Sequence, residues 1–325
     1  MTGIRTVVCV ASILIAATAS AQTTLRLLSS VNAPNAAVPE LEIPFTKGII
    51  DASNGEIKIQ RSGPEVVPTF EQLQPLSAGV FDLLFTVPGY HQAASGVGTL
   101  LDAFKADTEA RRSSGLFQWL DDFYKKRFGV RVIAIMPFGR YQFLLREPIG
   151  ADGMLTGRKL RSTAAYDGLI RQLGGIPVAL PTPETYPSMQ KGVIDGAAFV
   201  AGIAADFKMH EVAKYMARPL FGNTTVILLA NAKKFESLPA HLQKVILDEG
   251  RKVEQRGQSV SENLVKQDTD KMQKGGAQIS NFSPAMAAKV VQGFNEGVLA
   301  TAMKSMPEDV KAFWEFARGK NMLEQ

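Results

Sequence analysis

The chain predicts an α/β fold in two lobes joined by a long helix. Three observations lead there. Short β-rich runs alternate with helical patterns along most of the 325 residues. That length, with 46% hydrophobic residues, exceeds what one core usually serves. From Pro239 to about Lys274 apolar residues recur on one helical face, and at ~1.5 Å per residue such a helix is longer than a lobe is wide. Strand–helix–strand alternation predicts parallel sheet with helices on both faces, and ligands beyond the carboxyl ends of the strands.

The first residues read as an export signal over 1–21. Arg5 supplies the positive region, Val7 to Ala17 the apolar run, and Ala19-Ser20-Ala21 a small-residue cleavage site. No later stretch approaches the ~20 apolar residues that a bilayer span requires. Thr24 to Leu28 then predicts a first strand, Pro39 to Ala52 a helix, Asn54-Gly55 a turn, and Ile57 to Gln60 a second strand by alternation. Phe70 to Ala78 reads as helix, and Phe81 to Val87 and Val130 to Met136 as apolar strands. Pro137-Phe138-Gly139 marks a crossover into a second lobe, whose strand candidates are Tyr141 to Leu145, Lys159 to Ser162, Pro177 to Leu180 and Ala197 to Val200. Thr225 to Ala230 reads as a strand returning to the first lobe. The long helical pattern reads as a connecting helix that touches both lobes, with Gly250 and Gly257 as the points where it could bend or break. These readings assign 22–138 and 224–257 to lobe I, and 139–223 and 258–325 to lobe II.

Composition excludes several classes. The lone cysteine, Cys9, lies in the signal, so the mature chain has no disulfide and no cysteine metal ligand. The formal charge of +5 is dispersed; Lys125-Lys126-Arg127 is the densest run and reads as a solvated helix face. Without a basic stripe interleaved with aromatics, nucleic acid is not an expected partner. There is no GxSxG, HExxH or phosphate-binding loop, and Gly96-Val97-Gly98 lacks the third glycine of a dinucleotide fingerprint. His91, His210 and His241 are far apart. His241 reads as surface, and His91, after Pro88-Gly89-Tyr90, is the one placed near a cleft, with a structural role as the alternative. Neither metal nor cofactor is expected.

What remains is an anion-capture pattern. Arg161 closes the run Gly157-Arg158-Lys159-Leu160-Arg161-Ser162 at a strand end, where a guanidinium can grip a carboxylate through two parallel hydrogen bonds. Arg140, after Gly139 at the crossover, is the candidate second cation. Arg146, Arg158 and Lys159 read as solvated. Gly192-Val193-Ile194-Asp195-Gly196 reads as a strand entry that brings the chain back to the same cleft.

The order of Asn54-Gly55-Glu56-Ile57, Gly79-Val80-Phe81-Asp82, Gly157 to Arg161, Gly174-Gly175-Ile176-Pro177-Val178, Glu184-Thr185-Tyr186, Gly192 to Gly196 and Phe235-Glu236-Ser237-Leu238-Pro239 carries a resemblance. Over essentially the whole mature chain it resembles the substrate-binding proteins of tripartite ATP-independent periplasmic (TRAP) transporters, the C4-dicarboxylate-binding (DctP) family. The resemblance implies a periplasmic-binding-protein clamshell that closes over an organic acid and delivers it to small and large membrane subunits of a permease. It puts the carboxylate-binding arginine at Arg161 and a frequent second one at Arg140. Phe199, in Ala197-Ala198-Phe199, departs from the Asn or Glu of some relatives, and Val87 and Tyr90 stand where others carry charges. Together with Thr182 these residues are expected to line a cavity, with Glu65 accepting a ligand hydroxyl and Phe199 as plain strand core the alternative. An apolar or aromatic monocarboxylate fits such a cavity better than a sugar acid. The expected protein is a monomer in the periplasm, not an enzyme. An enzyme acting on a small acid and a ligand sensor are the alternative readings.

Overall fold

The computed structural model describes residues 22–324, so the signal read over residues 1–21 lies outside the described residues. The chain opens with β1 (Thr23–Ser29), α1 (Ile43–Ala52), β2 (Ile57–Ser62), α2 (Leu73–Ser77) and β3 (Leu83–Thr86). Next come α3 (Thr108–Ser113), α4 (Leu116–Phe128) and β4 (Val130–Pro137). The chain crosses to β5 (Arg140–Leu145), β6 (Lys159–Ser162), α5 (Asp167–Gln172), β7 (Ile176–Ala179), α6 (Thr185–Gln190), β8 (Gly196–Ala201) and β9 (Tyr215–Arg218). It returns as β10 (Thr225–Asn231), followed by α7 (Ala232–Glu236), α8 (Ala240–Lys274), β11 (Gln278–Asn281), α9 (Pro284–Ala302) and α10 (Pro307–Gly319).

These strands make two sheets, ordered β2-β1-β3-β10-β4 and β11-β9-β5-β8-β6-β7. The expected parallel pairing holds for β1 with β2 and β3, β6 with β7 and β8, and β9 with β11, but not throughout. β10 runs antiparallel to β3 and β4, and β5 runs antiparallel to β8 and β9. Both are crossover strands that enter from the other sheet without a helix between, so their direction is free to reverse. β9 and β11 are short and gave no alternation; β11, Gln-Ile-Ser-Asn, is a polar edge strand.

The 35-residue α8 runs unbroken through Gly250 and Gly257. A Cβ at Gly250 would lie 2.8 Å from the Ile133 carbonyl oxygen, and one at Gly257 would lie 2.7 Å from that of Pro137. The glycines let the helix lie directly on β4. Further along, Asp268 accepts hydrogen bonds from the Ala205 and Gly202 amides at 2.7 and 3.1 Å, which fixes α8 to the second sheet. The helix thus touches both halves.

The C-terminal segment departs from its expected place in lobe II. Phe313 of α10 stacks on Trp119 and meets Phe104 edge-on, with ring centroids 4.4 and 5.3 Å apart. Leu323 bridges to Phe104, and the Lys105 amide donates to the Met322 carbonyl at 2.7 Å. Aromatic burial against α4 brings the tail back to the first sheet. The apolar core divides by sheet face rather than by lobe: one cluster runs along α8 and α1, the other along α4, α9 and α10, and each spans both sheets.

The crossovers are pinned together. Tyr141 and Phe221 exchange backbone hydrogen bonds of 2.9 and 3.0 Å. Asp102, fully buried, accepts from the Tyr141 hydroxyl at 2.7 Å and the Thr225 amide at 3.1 Å, while its carbonyl accepts from the Asn223 amide at 2.8 Å. Burial pushes its carboxyl up to about 7. Among the described residues no helix is long and apolar enough to cross a membrane.

Candidate functional site

The site lies where the carboxyl ends of β1, β3, β6 and β8 converge between the sheets. Asp195 sets the register on one side: its carboxylate accepts from the Lys159 amide at 2.8 Å, and its own amide donates to the Lys159 carbonyl at 2.7 Å. That exchange seats β8 beside β6, with Arg161 opposite Ala197. Gly196 must be small, because a Cβ there would lie 2.8 Å from the Leu144 carbonyl oxygen. The Gly192–Gly196 run is therefore the device that aligns the arginine strand.

Arg161 is 2% exposed. Its Nε donates to the Leu180 carbonyl at 2.9 Å, and Nη1 donates to the Ala198 carbonyl at 3.1 Å and to the Tyr166 hydroxyl. Nη2 donates to the Thr182 hydroxyl at 3.2 Å. The guanidinium carbon stands 5.7 Å from the ring centroids of both Tyr166 and Phe199, within range of a cation–π contact. Every partner is neutral, and among the described residues no carboxylate lies within ion-pair distance of it. A buried cation without a counter-charge is costly. The contrast with Arg111 is instructive. That side chain is equally buried and bonds carbonyls, but Asp102, Glu254 and Glu324 act on its charge. Burial nevertheless lowers it to about 10.

Thr182 also meets the Tyr90 hydroxyl at 3.0 Å. Tyr90 follows β3 of the first sheet and Thr182 follows β7 of the second, so this contact crosses the cleft. Phe70 packs edge-on against Tyr90 at 5.4 Å. Beside Thr182 lies a cavity of ≈ 30 Å³ walled by Val87, Phe85, Phe138, Val200, Ser30 and Thr224, among others, with no charged side chain in the wall. That volume holds little more than water, so an organic acid enters only if the two sheets separate. A wider groove of ≈ 710 Å³ opens at the mouth between Pro64–Glu71 and Ala179–Glu184.

The structure thus brings Arg161, Thr182, Tyr90, Phe199 and Val87 together. Phe199 is fully buried; it underlies the guanidinium and meets Phe207 at 6.0 Å, so it is core and support at once. Three expected residues lie elsewhere. Arg140 donates from Nε to the Gly222 carbonyl at 3.1 Å and lines a separate groove with Gln258, Glu262 and Lys266. Its position at the head of β5, beside the crossover, turns it to α8. Glu65 is exposed at the mouth, and its two oxygens accept from Asn32 Nδ2 and the Gly63 amide, both at 2.9 Å. Those bonds hold its carboxyl below the usual range, that from Asn32 most of all. His91 is not at the cleft. It is buried against the Tyr124 hydroxyl at 2.6 Å, and burial lowers it to about 4.

Sequence reasoning missed Tyr166, Ser30 and Phe138. Tyr166 follows Arg161 by five residues in the loop entering α5, and burial raises its phenol to about 12. Its nearness to a strand-end arginine was the available signal. Ser30 directly follows β1, and no pattern distinguished it from Ser29.

The comparisons agree with this architecture. The sequence profile of bacterial extracellular solute-binding proteins, family 7 (DctP), matches residues 32–304. A solute-binding protein of Sulfitobacter sp. (strain NAS-14.1) is 28% identical over 140 residues, 42% of either chain. The match thus spans about two fifths of that relative's length. Among solved structures, DctP7 of Bordetella pertussis, an extracytoplasmic solute receptor binding pyroglutamic acid, superposes with a TM-score of 0.80 at 18% identity, over 91% of this chain and 99% of that one. A marine metagenome TRAP solute-binding protein specific for aromatic acid ligands gives 0.75 at 23% identity, over 92% and 98%.

Proposed function

The chain belongs to the bacterial extracellular solute-binding protein family 7, DctP, a family of binding proteins, and from that premise we propose that it captures an organic acid in the periplasm for a TRAP permease. The observation that carries the reading is the buried, uncompensated guanidinium of Arg161. Its neutral partners orient it, and an anionic ligand would supply the missing counter-charge. On ligand entry the Thr182 hydroxyl gives up Nη2 and the Tyr166 hydroxyl gives up Nη1, and a carboxylate takes the fork. Closure excludes water and strengthens that pairing. Because Tyr90 and Thr182 belong to opposite sides, a ligand that contacts both shifts the molecule towards the closed form.

The uncharged, largely apolar wall favours a monocarboxylate with an apolar or aromatic body over a dicarboxylate or sugar acid. Similar folds include receptors of pyroglutamic and aromatic acids and also of L-galactonate, so similarity supports an organic-acid ligand and the preference among acids rests on the cavity wall. The small and large membrane subunits of the permease are the proposed partners, with the receptor acting as a monomer. Mass spectrometry of small molecules released from denatured, freshly purified protein tests the reading. A carboxylic acid present at near-stoichiometric amount and returned unchanged supports it, and a cationic or neutral sugar would overturn it.

A further inference from the structure

The cavity has a second pole. Ser30 is 2% exposed, and its hydroxyl has no hydrogen-bond partner among the described residues. Its backbone is already committed: the amide donates to the Phe85 carbonyl at 2.9 Å, and the carbonyl accepts from Thr69 Oγ1 at 3.4 Å. The preceding hydroxyl behaves differently. Ser29 faces the other side of the sheet, where its single hydroxyl hydrogen is shared between the Val31 carbonyl at 2.9 Å and Glu42 at 2.5 Å. Strand alternation therefore spends one serine on the core and turns the next into the cavity wall. A buried hydroxyl without a partner is an unusual feature that needs a reason.

Ser30 stands on the first-sheet side of the cavity, and Thr182, backed by Arg161, stands on the second-sheet side. Between them the wall includes Phe85, Val87, Phe138 and Val226. Resting on the reading of Arg161 as carboxylate anchor, we infer that the ligand is a monocarboxylate whose apolar body carries a neutral hydrogen-bonding group, a hydroxyl, ketone or amide, at the end remote from the carboxylate. Ser30, with the Thr224 hydroxyl in the same wall, selects for that group. A hydroxyl serves as donor or acceptor, so it satisfies either. A second carboxylate at this pole would meet no cation in the wall and would be buried unpaired.

Matched acids test this. Phenylacetate is compared with 3- and 4-hydroxyphenylacetate, and hexanoate with 5-oxohexanoate, by calorimetric titration of the native chain, Ser30→Ala and Arg161→Ala. In the native chain a substituted acid should bind roughly 10-fold tighter than its parent. Ser30→Ala should abolish that preference by weakening the substituted acids roughly 10-fold, with an unchanged melting temperature as the check on folding. Parent acids that bind the native chain as tightly as every substituted partner would overturn the inference while the anchor stands, provided Arg161→Ala still loses them. Binding of none of these acids, with succinate or malate bound instead, would overturn the monocarboxylate reading and this inference with it.

Discussion

The hydroxyls of Tyr90 and Thr182 meet at 3.0 Å across the cleft, one residue from each side, and Thr182 simultaneously receives Nη2 of Arg161. A single threonine thus links the closing contact to the anion anchor. Whatever displaces Thr182 from the guanidinium also disturbs the bond that holds the sides together.

Tyr90→Phe removes the closing contact while it keeps the ring against Phe70. One net hydrogen bond of ~0.5–1.5 kcal/mol is lost, so the ratio of closed to open molecules should fall by about 2- to 13-fold. Small-angle scattering without ligand should give a larger radius of gyration than the native chain gives. An identical radius would mean that the contact does not govern closure.

Arg161→Ala should weaken binding of the cognate acid by roughly 30-fold to several thousand-fold, the ~2–5 kcal/mol typical of truncating a desolvated charge pair. Arg161→Lys should also bind poorly, because an ammonium cannot bond Leu180, Ala198 and a carboxylate in one plane. Arg140→Ala should cost less than Arg161→Ala, since Arg140 lines the groove beside α8. Calorimetry on the three variants is the check, and equal losses at both positions would return Arg140 to the site.

Asp102 and His91 give opposing pH dependences. Asp102 is raised from 3.8 to about 7, so its contribution is fully present below the ordinary carboxylate range and is lost as pH rises to about 7. His91 is lowered from 6.5 to about 4, so its neutral burial costs stability as pH falls through that interval. Between about pH 4 and 6.5 the two slopes oppose each other. Asp102→Asn removes the first and retains an acceptor, so its stability relative to the native chain should improve steadily as pH rises to about 7. Urea midpoints across that range decide it, and a difference independent of pH would refute the assignment.

Gly250→Ala and Gly257→Ala should each lower the melting temperature, although alanine is favoured in a helix interior by ~1 kcal/mol. The added carbon would meet a β4 carbonyl oxygen at 2.8 or 2.7 Å, and both backbones would have to move apart. Overpacking of this kind costs about 1–3 kcal/mol. Differential scanning fluorimetry is sufficient, and a raised melting temperature in both would show that α8 rides higher on the sheet.

The sequence by itself determined the elements with strong local signals. Alternation marked β2, apolar runs marked β3 and β4, and one apolar helical face marked α8 almost to the residue. It also singled out Arg161, because a cation at a strand end after a glycine-started run is a local pattern. Tertiary structure alone decided the rest. Whether Arg161 has a counter-charge depends on residues 19 to 37 positions away, Leu180, Thr182 and Ala198, and no local pattern reports their neutrality at that point. The direction of β5 and β10, the return of α10 to Phe104 and the turning away of Arg140 depend likewise on which surfaces bury each other. Ser29 and Ser30 state the division most plainly: identical in sequence terms, they differ because the pleat sends one hydroxyl to Glu42 and leaves the other without a partner at the cavity wall.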